Sequence, residues 1–285
     1  MESVDHMNEQ IGVSIICNAF NHEKYIRDAL EGFVSQITSF EYEVLIHDDA
    51  STDNTAEIIK EYATKYPDII KPIYQTTNCY SQGIPISIKF QWPRVRGRYI
   101  AICEGDDYWI DPYKLQKQFD ALEANPNVDI CVHSSVCIDA VTGQELNLCR
   151  PSKHNCIIPV QRVIRRGGSF VQTNSIVYRA SLISYIPPFR AFLGMDYTLQ
   201  IHGSLRGGML YIDDVMSVYR SNVPNSWTQK TRGNPEKYIS FKKKMVKMLK
   251  MLNEDTKGRY FGVILLVILK ERLSLLVFRL RRISR

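Results

Sequence analysis

Two acidic clusters, each placed directly after an apolar strand-like run, are the residues of this chain best suited to chemistry. His47-Asp48-Asp49-Ala50-Ser51-Thr52-Asp53 follows Tyr42–Ile46, and Glu104-Gly105-Asp106-Asp107 follows Arg98–Cys103. In an open α/β sheet, ligands bind in the crevice outside the carboxyl ends of the strands, which would bring both clusters to one cleft. Carboxylates gathered there repel one another unless a positive group sits among them. A hard divalent cation carrying a phosphate ligand meets that need, so the pattern points to handling of a nucleoside diphosphate.

The elements that must position these clusters are legible over the first 138 residues. Val13–Cys17 reads as a buried strand and Glu23–Gln36 as a helix, with Tyr25, Ile26, Ala29, Leu30, Phe33 and Val34 on one face. Strand Val44–Ile46 leads into the first acidic loop, where Ser51 or Thr52 can cap a helix running to about Tyr66. Ile69–Tyr74 is a third strand and Ile84–Gln91 a short helical stretch. Asp111-Pro112 forms an N-cap and first-turn pair for a helix through Asn125. Val128–Ile138 is a further strand. Strands alternating with helices of this length imply βαβ units and a mostly parallel sheet. The stretch from 139 to 229 is less regular, with strands at Ser175–Tyr178 and Leu210–Ile212 and a helix from Asp196 to Leu205. Two helical periods close the chain, Pro235–Leu252 and Arg259–Leu280.

Composition sets outer bounds. The 285 residues are 45% hydrophobic and 23% charged, ordinary for a folded domain. Seven cysteines without a C-x-x-C pair argue for a reducing compartment, against a disulfide framework or a zinc site. The acidic N-terminus lacks an apolar signal-type segment, so a cytoplasmic location is expected. Net charge is +6, but residues 230–285 hold sixteen Lys+Arg against four Asp+Glu. A basic tail on an acidic body suits an anionic surface. Nucleic acid ranks low because the basic residues lie away from any reading motif. The apolar run Phe261–Leu269 is too short to span a bilayer, leaving an interfacial helix and a docked core helix as equal readings.

Four segments, VSIICNAFNHEKYIRDALEGFVSQ, EVLIHDDASTDNTAEII, GRYIAICEGDDYWIDPYKLQKQ and GMDYTLQI, resemble family 2 of the nucleotide-sugar glycosyltransferases, in family order over roughly the first 220 residues. The resemblance implies a GT-A (Rossmann-like) fold, with a mostly parallel sheet flanked by helices and a C-terminal helical appendage. The expected division is a catalytic domain over 1–229, split into a nucleotide-binding half (1–138) and an acceptor-side half (139–229), followed by a basic amphipathic segment over 230–285. The implied activity is inverting, hexosyltransferase-type transfer from a nucleotide-diphosphate donor, a UDP-sugar foremost. The acceptor would be a hydroxyl of a glycan or lipid-linked molecule in surface polysaccharide assembly.

Each site residue carries a chemical reading beside the family's. Asp49 ends the second strand, where a carboxylate can accept the imino N–H of uracil, thymine or guanine; the matching family residue recognises uracil, and the match of Asn18 lies near the nucleotide. Asp48 and Asp53 have a plainer role in capping backbone N–H groups, favoured for Asp53. Glu104-Gly105-Asp106-Asp107 matches the DXD motif, with Glu in place of the first Asp. Asp106 and Asp107 are the expected contacts to Mn²⁺ or Mg²⁺ and to diphosphate, with Glu104 near the ribose or a metal-bound water. Gly105 is expected to permit an unusual backbone turn. Asp196 starts a helix, where capping explains an Asp as well as catalysis does; the resemblance implies the general base. Tyr219-Arg220 matches a family pair, but the His that often follows is absent, leaving Arg220 to supply phosphate-binding charge. His22, His47, His133, His154 and His202 show no ligand spacing and read as structural or surface residues. Trp109 reads as core; Tyr108 and Trp227 could stack on sugars; Gln172, Thr173 and Asn174 could bond acceptor hydroxyls. Two competitors remain: a catalytically silent nucleotide- or glycan-binding protein on the same scaffold, and a sugar nucleotidyltransferase, disfavoured because Cys17–Asn21 lacks glycine and a basic residue.

Overall fold

A computed structural model of the protein describes residues 11–224, 226 and 234–283. Its centre is one ten-stranded sheet. The strands are β1 (Val13–Ala19), β2 (Tyr42–Asp48), β3 (Ile70–Tyr74), β4 (Tyr99–Ile102), β5 (Tyr108–Trp109), β6 (Ile130–Asp139), β7 (Glu145–Cys149), β8 (Cys156–Ile158), β9 (Val177–Arg179) and β10 (Met209–Ser221). Their order is β3-β2-β1-β4-β9-β6-β10-β5, with β7 paired to β6 and β8 to β10. The β3-β2-β1-β4 half is parallel throughout. Beyond β4 the sheet is mixed, because β9 runs antiparallel to both β4 and β6 while β6 and β10 are parallel. The mostly parallel expectation therefore holds for the first half and gives way in the second.

Alternation along the strands sends side chains to two cores. Val13, Ile15 and Cys17 of β1 pack with α1 (Ile26–Val34), α2 (Thr55–Lys65) and α3 (Lys114–Glu123). Ile16, Ile100, Ile130 and Val132 face the other way. There they meet α4 (Val160–Arg166), α5 (Pro188–Leu193), α6 (Asp196–Ser204), α7 (Pro235–Asp255) and α8 (Phe261–Ile283). The C-terminal helices are thus docked: Met248, Leu249 and Leu252 of α7 and Ile264, Val267 and Ile268 of α8 are buried in this second core. Docking uses only one face of α8. Phe261, Leu265, Leu266, Leu269, Leu273 and Leu276 remain exposed. No helix among the described residues is long and apolar enough to cross a membrane.

Among the helix starts that differ from the sequence reading, two have a visible cause in side-chain bonds. The Asp53 carboxylate accepts the Thr55 and Glu23 backbone N–H groups, so α2 begins at Thr55 and Ser51 and Thr52 stay in the loop. Asp111 accepts the Tyr113 N–H and pairs with Lys117, so α3 starts at Lys114, two residues past Pro112.

Trp109 is core, as expected: its Nε1–H donates to the Asn174 carbonyl at 2.9 Å and its ring meets Phe33 edge-on. The Lys114 ammonium lies 3.8 Å from that ring's centroid, fully buried, with no hydrogen-bond partner. Burial lowers its pKa to about 7. A lysine depressed in this way removes stability as pH falls from 10.5 towards 7, because the unfolded chain takes up the proton first. Lys114→Met should accordingly stabilise the protein by roughly 2 kcal/mol near pH 6.5 and less near pH 10, read by denaturant unfolding at both pH values.

Candidate active site

The two acidic clusters do meet at the carboxyl ends of adjoining parallel strands. β1 lies between β2 and β4, so the 47–53 loop, the 18–23 loop and the 104–107 turn form one rim. Asn18 joins them: its backbone N–H donates to Glu104 Oε2 at 3.0 Å and its Nδ2 to Oε1 at 3.3 Å. Asn21 and Ala50 adopt left-handed backbone conformations, φ 55° and 61°. Neither is glycine, and each such residue costs on the order of 1 kcal/mol, so the rim is held in shape by its surroundings. Asn21 Oδ1 accepts the Thr52 N–H, and Ser51 Oγ accepts the Asn21 N–H, which lock the two loops together.

Within the 104–107 turn the carboxylates take different posts. Asp107 is buried and accepts the Arg220 backbone N–H at 2.8 Å. Burial, followed by the charge of Asp106, pushes its carboxyl well above the usual range. Asp106 is part-exposed, with its Oδ2 4.0 Å from His22 Nε2. Glu104 is pushed up to about 8, first by burial and then by the charges of Asp106 and Asp196, against the bonds from Asn18. Gly105 is required for space rather than torsion, a correction to its expected role. It is absent from the positive-φ glycines, and a Cβ there would lie 2.8 Å from Ile26 Cδ1 and 2.9 Å from His22 Nδ1.

Two sequence expectations change with these contacts. Arg220 reaches the turn, but its guanidinium donates to the Asp106 carbonyl at 3.0 Å and to Asp28, between the rings of Tyr25 and Tyr108. Its side chain is 9% exposed, which makes it a brace under the turn rather than an open phosphate ligand. Asp49 is likewise engaged: its two oxygens accept the Cys79 and Tyr80 N–H groups at 2.7 and 3.0 Å, tying the loop after β3 to the end of β2. Asp48 takes the Asx role, accepting the Ser51 N–H.

Asp196 opens α6 at the far wall. It is open to solvent, yet close enough to Glu104 to raise that group's pKa. Protein packed around it raises its own pKa, opposed by the Thr173 hydroxyl, which donates to Oδ2 at 2.5 Å. The neighbouring Asn174 is fully buried, bonded to Ser217 and to the Val218 carbonyl, and so ties strands instead of meeting an acceptor. Tyr108 stacks on Arg220, and Trp227 lies outside the described residues.

Sequence reasoning missed His22. It stands beside Asp106 with Nδ1 buried and unpartnered, and only the three-dimensional return of the 18–23 loop to the turn reveals it. The residues fit a hard cation: the donors are carboxylate oxygens, and Asp106 is the one left open. Glu104, Asp106 and Asp107 do not converge as a ready-made triad. Among the described residues the one group of three possible ligands with donor atoms within 4.8 Å of each other is His47, Asp49 and Cys79, all buried, where the Asp49 oxygens already hold backbone N–H groups.

Residues 14–185 match Glycosyl transferase family 2, and the chain belongs to that family. A Mycobacterium tuberculosis protein without an assigned activity is 38% identical over 215 residues, 75% of this chain and 60% of that protein. The chain thus spans about three fifths of the length of these curated relatives. Among solved structures, S. aureus TarS in complex with UDP-GlcNAc superposes with a TM-score of 0.67 at 18% identity, covering 93% of this chain and 73% of TarS. The Pyrobaculum calidifontis mannosyltransferase PcManGT, in complex with GDP-Man and Mn²⁺, gives 0.61 at 16% identity, covering 94% and 72%. The fold is that of these GT-A proteins.

A raised Glu104 pKa carries a sign. The folded protein binds the Glu104 proton more tightly than the unfolded chain, so its contribution to stability is lost as pH rises from 4.5 to about 8. Glu104→Gln should flatten the fall in melting temperature over that interval and leave values near pH 4 unchanged, measured without added metal.

Proposed function

We propose that the protein is an inverting glycosyltransferase that moves a sugar from a nucleoside-diphosphate donor, foremost a UDP-sugar, to a hydroxyl acceptor. The observation that carries this reading is the nearness of Asp196 to Glu104, and of Asp106, Asp107 and Asp196 to Tyr219, at the strand ends of a family 2 chain. Mn²⁺ or Mg²⁺, held chiefly through Asp106, would neutralise the charge developing on the diphosphate leaving group. Asp107 and Arg220 set the position of that carboxylate, and Asn18 sets Glu104. His22, at the edge of the turn, supplies a donor to diphosphate oxygens in place of the absent family His.

Asp196 acts as the base. Inversion requires a carboxylate on the face opposite the leaving group, taking the acceptor hydroxyl proton as that oxygen attacks the anomeric carbon. The Thr173 hydroxyl fixes one Asp196 oxygen and leaves the other for the acceptor. For the base of the nucleotide, Asp49 has its remaining lone pairs, and the Cys79–Tyr80 loop that it anchors is the second wall of that subsite. The exposed apolar face of α8, beside the basic tail, suits attachment to the inner face of an anionic membrane, where a lipid-linked acceptor would lie.

Asp196→Asn should lower turnover of a UDP-sugar by about 10²–10⁴-fold while donor affinity stays within a few-fold, read by product formation and by nucleotide titration. Equal turnover in the variant and the parent would assign Asp196 to capping alone. Asp106→Asn should remove the Mn²⁺-dependent part of nucleotide binding. Gly105→Ala should weaken it by displacing His22 or Ile26.

A further inference from the structure

A cleft on the acceptor side lies away from the residues of the acidic turn. It encloses about 580 Å³ between β7, the end of α4, the 169–172 segment and α8. Arg150, Arg165, Arg166 and Lys270 line it, with no carboxylate among the lining residues. Arg150 is paired with Asp213, and Glu271, next to Lys270, is turned to Lys242 of α7. Arg165, Arg166 and Lys270 have no acidic partner among the described residues, so three cations face one cavity uncompensated. Phe170 forms part of the wall, with its ring centroid 5.8 Å from the Arg166 guanidinium.

Two features connect this cleft to chemistry. Gln172 lines it, and the next residue, Thr173, holds the Asp196 carboxylate at 2.5 Å. A molecule seated in the cleft therefore extends naturally to the group assigned as the base. On the opposite side, Lys270 is flanked on α8 by exposed Leu266, Leu269 and Leu273. Cations meet an apolar helix face at the rim.

We propose that this cleft is an acceptor subsite for a phosphate or diphosphate group, so that the acceptor carries its phosphorus close to the hydroxyl that receives the sugar. Guanidinium forks match phosphate oxygens two at a time, and adjacent Arg165 and Arg166 with Lys270 suit a multiply charged group better than a single carboxylate. The apolar face beside Lys270 favours a lipid diphosphate over a phosphodiester of a soluble polymer as the source. This inference rests on the acceptor-side reading of Asp196 but not on the identity of the donor.

The test is calorimetric titration of the full chain in EDTA, which silences metal-dependent binding at the donor turn. The probes are inorganic pyrophosphate, farnesyl diphosphate and glucuronate, and the proteins are the parent, Arg165→Gln/Arg166→Gln and Asp106→Asn. Pyrophosphate should bind the parent and Asp106→Asn alike and bind the double variant about tenfold or more weakly. Farnesyl diphosphate tighter than pyrophosphate identifies a lipid carrier; equal affinities identify a polymer phosphate. No pyrophosphate binding to the parent, retention in the double variant, or tighter binding of glucuronate overturns the proposal. Stabilisation by nucleotide plus Mn²⁺, followed in the same proteins, checks that the double variant is folded. Nucleotide stabilisation of the parent together with no pyrophosphate binding to the parent would remove the cleft assignment and leave the transferase reading standing.

Discussion

Repulsion among carboxylates gathered at the ends of β1, β2 and β4 is the constraint around which the rest of this molecule is arranged. Glu104, Asp106 and Asp107 fall within four consecutive positions, and Asp196 lies near them from another element. Burial first, and then their mutual repulsion, pushes Glu104 and Asp107 upward. Such a cluster holds its shape only if each carboxylate has a fixed donor. Asn18 supplies two for Glu104, the Arg220 backbone supplies one for Asp107, and the Arg220 side chain braces the chain beneath Asp106. Asp28 and the rings of Tyr25 and Tyr108 in turn hold Arg220. What remains open is one carboxylate, that of Asp106, beside a histidine. The other two carboxylates of the turn are held by the protein, and a cation is the natural counterweight.

The second half of the chain completes the site from the other direction. β9 inserts antiparallel between β4 and β6, which carries the 172–175 segment across the sheet to the Asp196 wall. Buried Asn174 bonds β10, while Thr173 on its other side bonds Asp196. The C-terminal helices close the second core behind this wall and leave one apolar face outward. Under the proposed function, donor chemistry falls to the parallel half and acceptor chemistry to the mixed half with its basic cleft.

How much of this was legible in the sequence follows from how local each signal is. The parallel half was readable because its strands are short apolar runs and its helices show an apolar stripe, both set by near neighbours in the chain. The acidic turn, Asp196 and the core place of Trp109 were likewise visible. β10 was read as only Leu210–Ile212, because Asp213 and Asp214 interrupt the apolar pattern at a pair of register shifts against β6. Asp49 and Arg220 were placed in the right region, but the protein groups that they bond were not legible. Which groups they bond depends on loops 30 and 114 residues away in sequence. His22 and the basic cleft were invisible for the same reason: Arg150, the Arg165–Arg166 pair and Lys270 come from three separated places in the chain that only the fold brings together.

The central claim is that the acidic turn is a metal-assisted nucleoside-diphosphate site. Melting temperatures of the full chain with UDP, GDP, ADP and CDP, each with and without Mn²⁺, test it most directly, since a ligand bound only by the folded state raises the transition by mass action. The account predicts stabilisation by UDP or GDP that requires Mn²⁺ and vanishes in Asp106→Asn. A melting temperature indifferent to every nucleotide, with or without the metal, would contradict it.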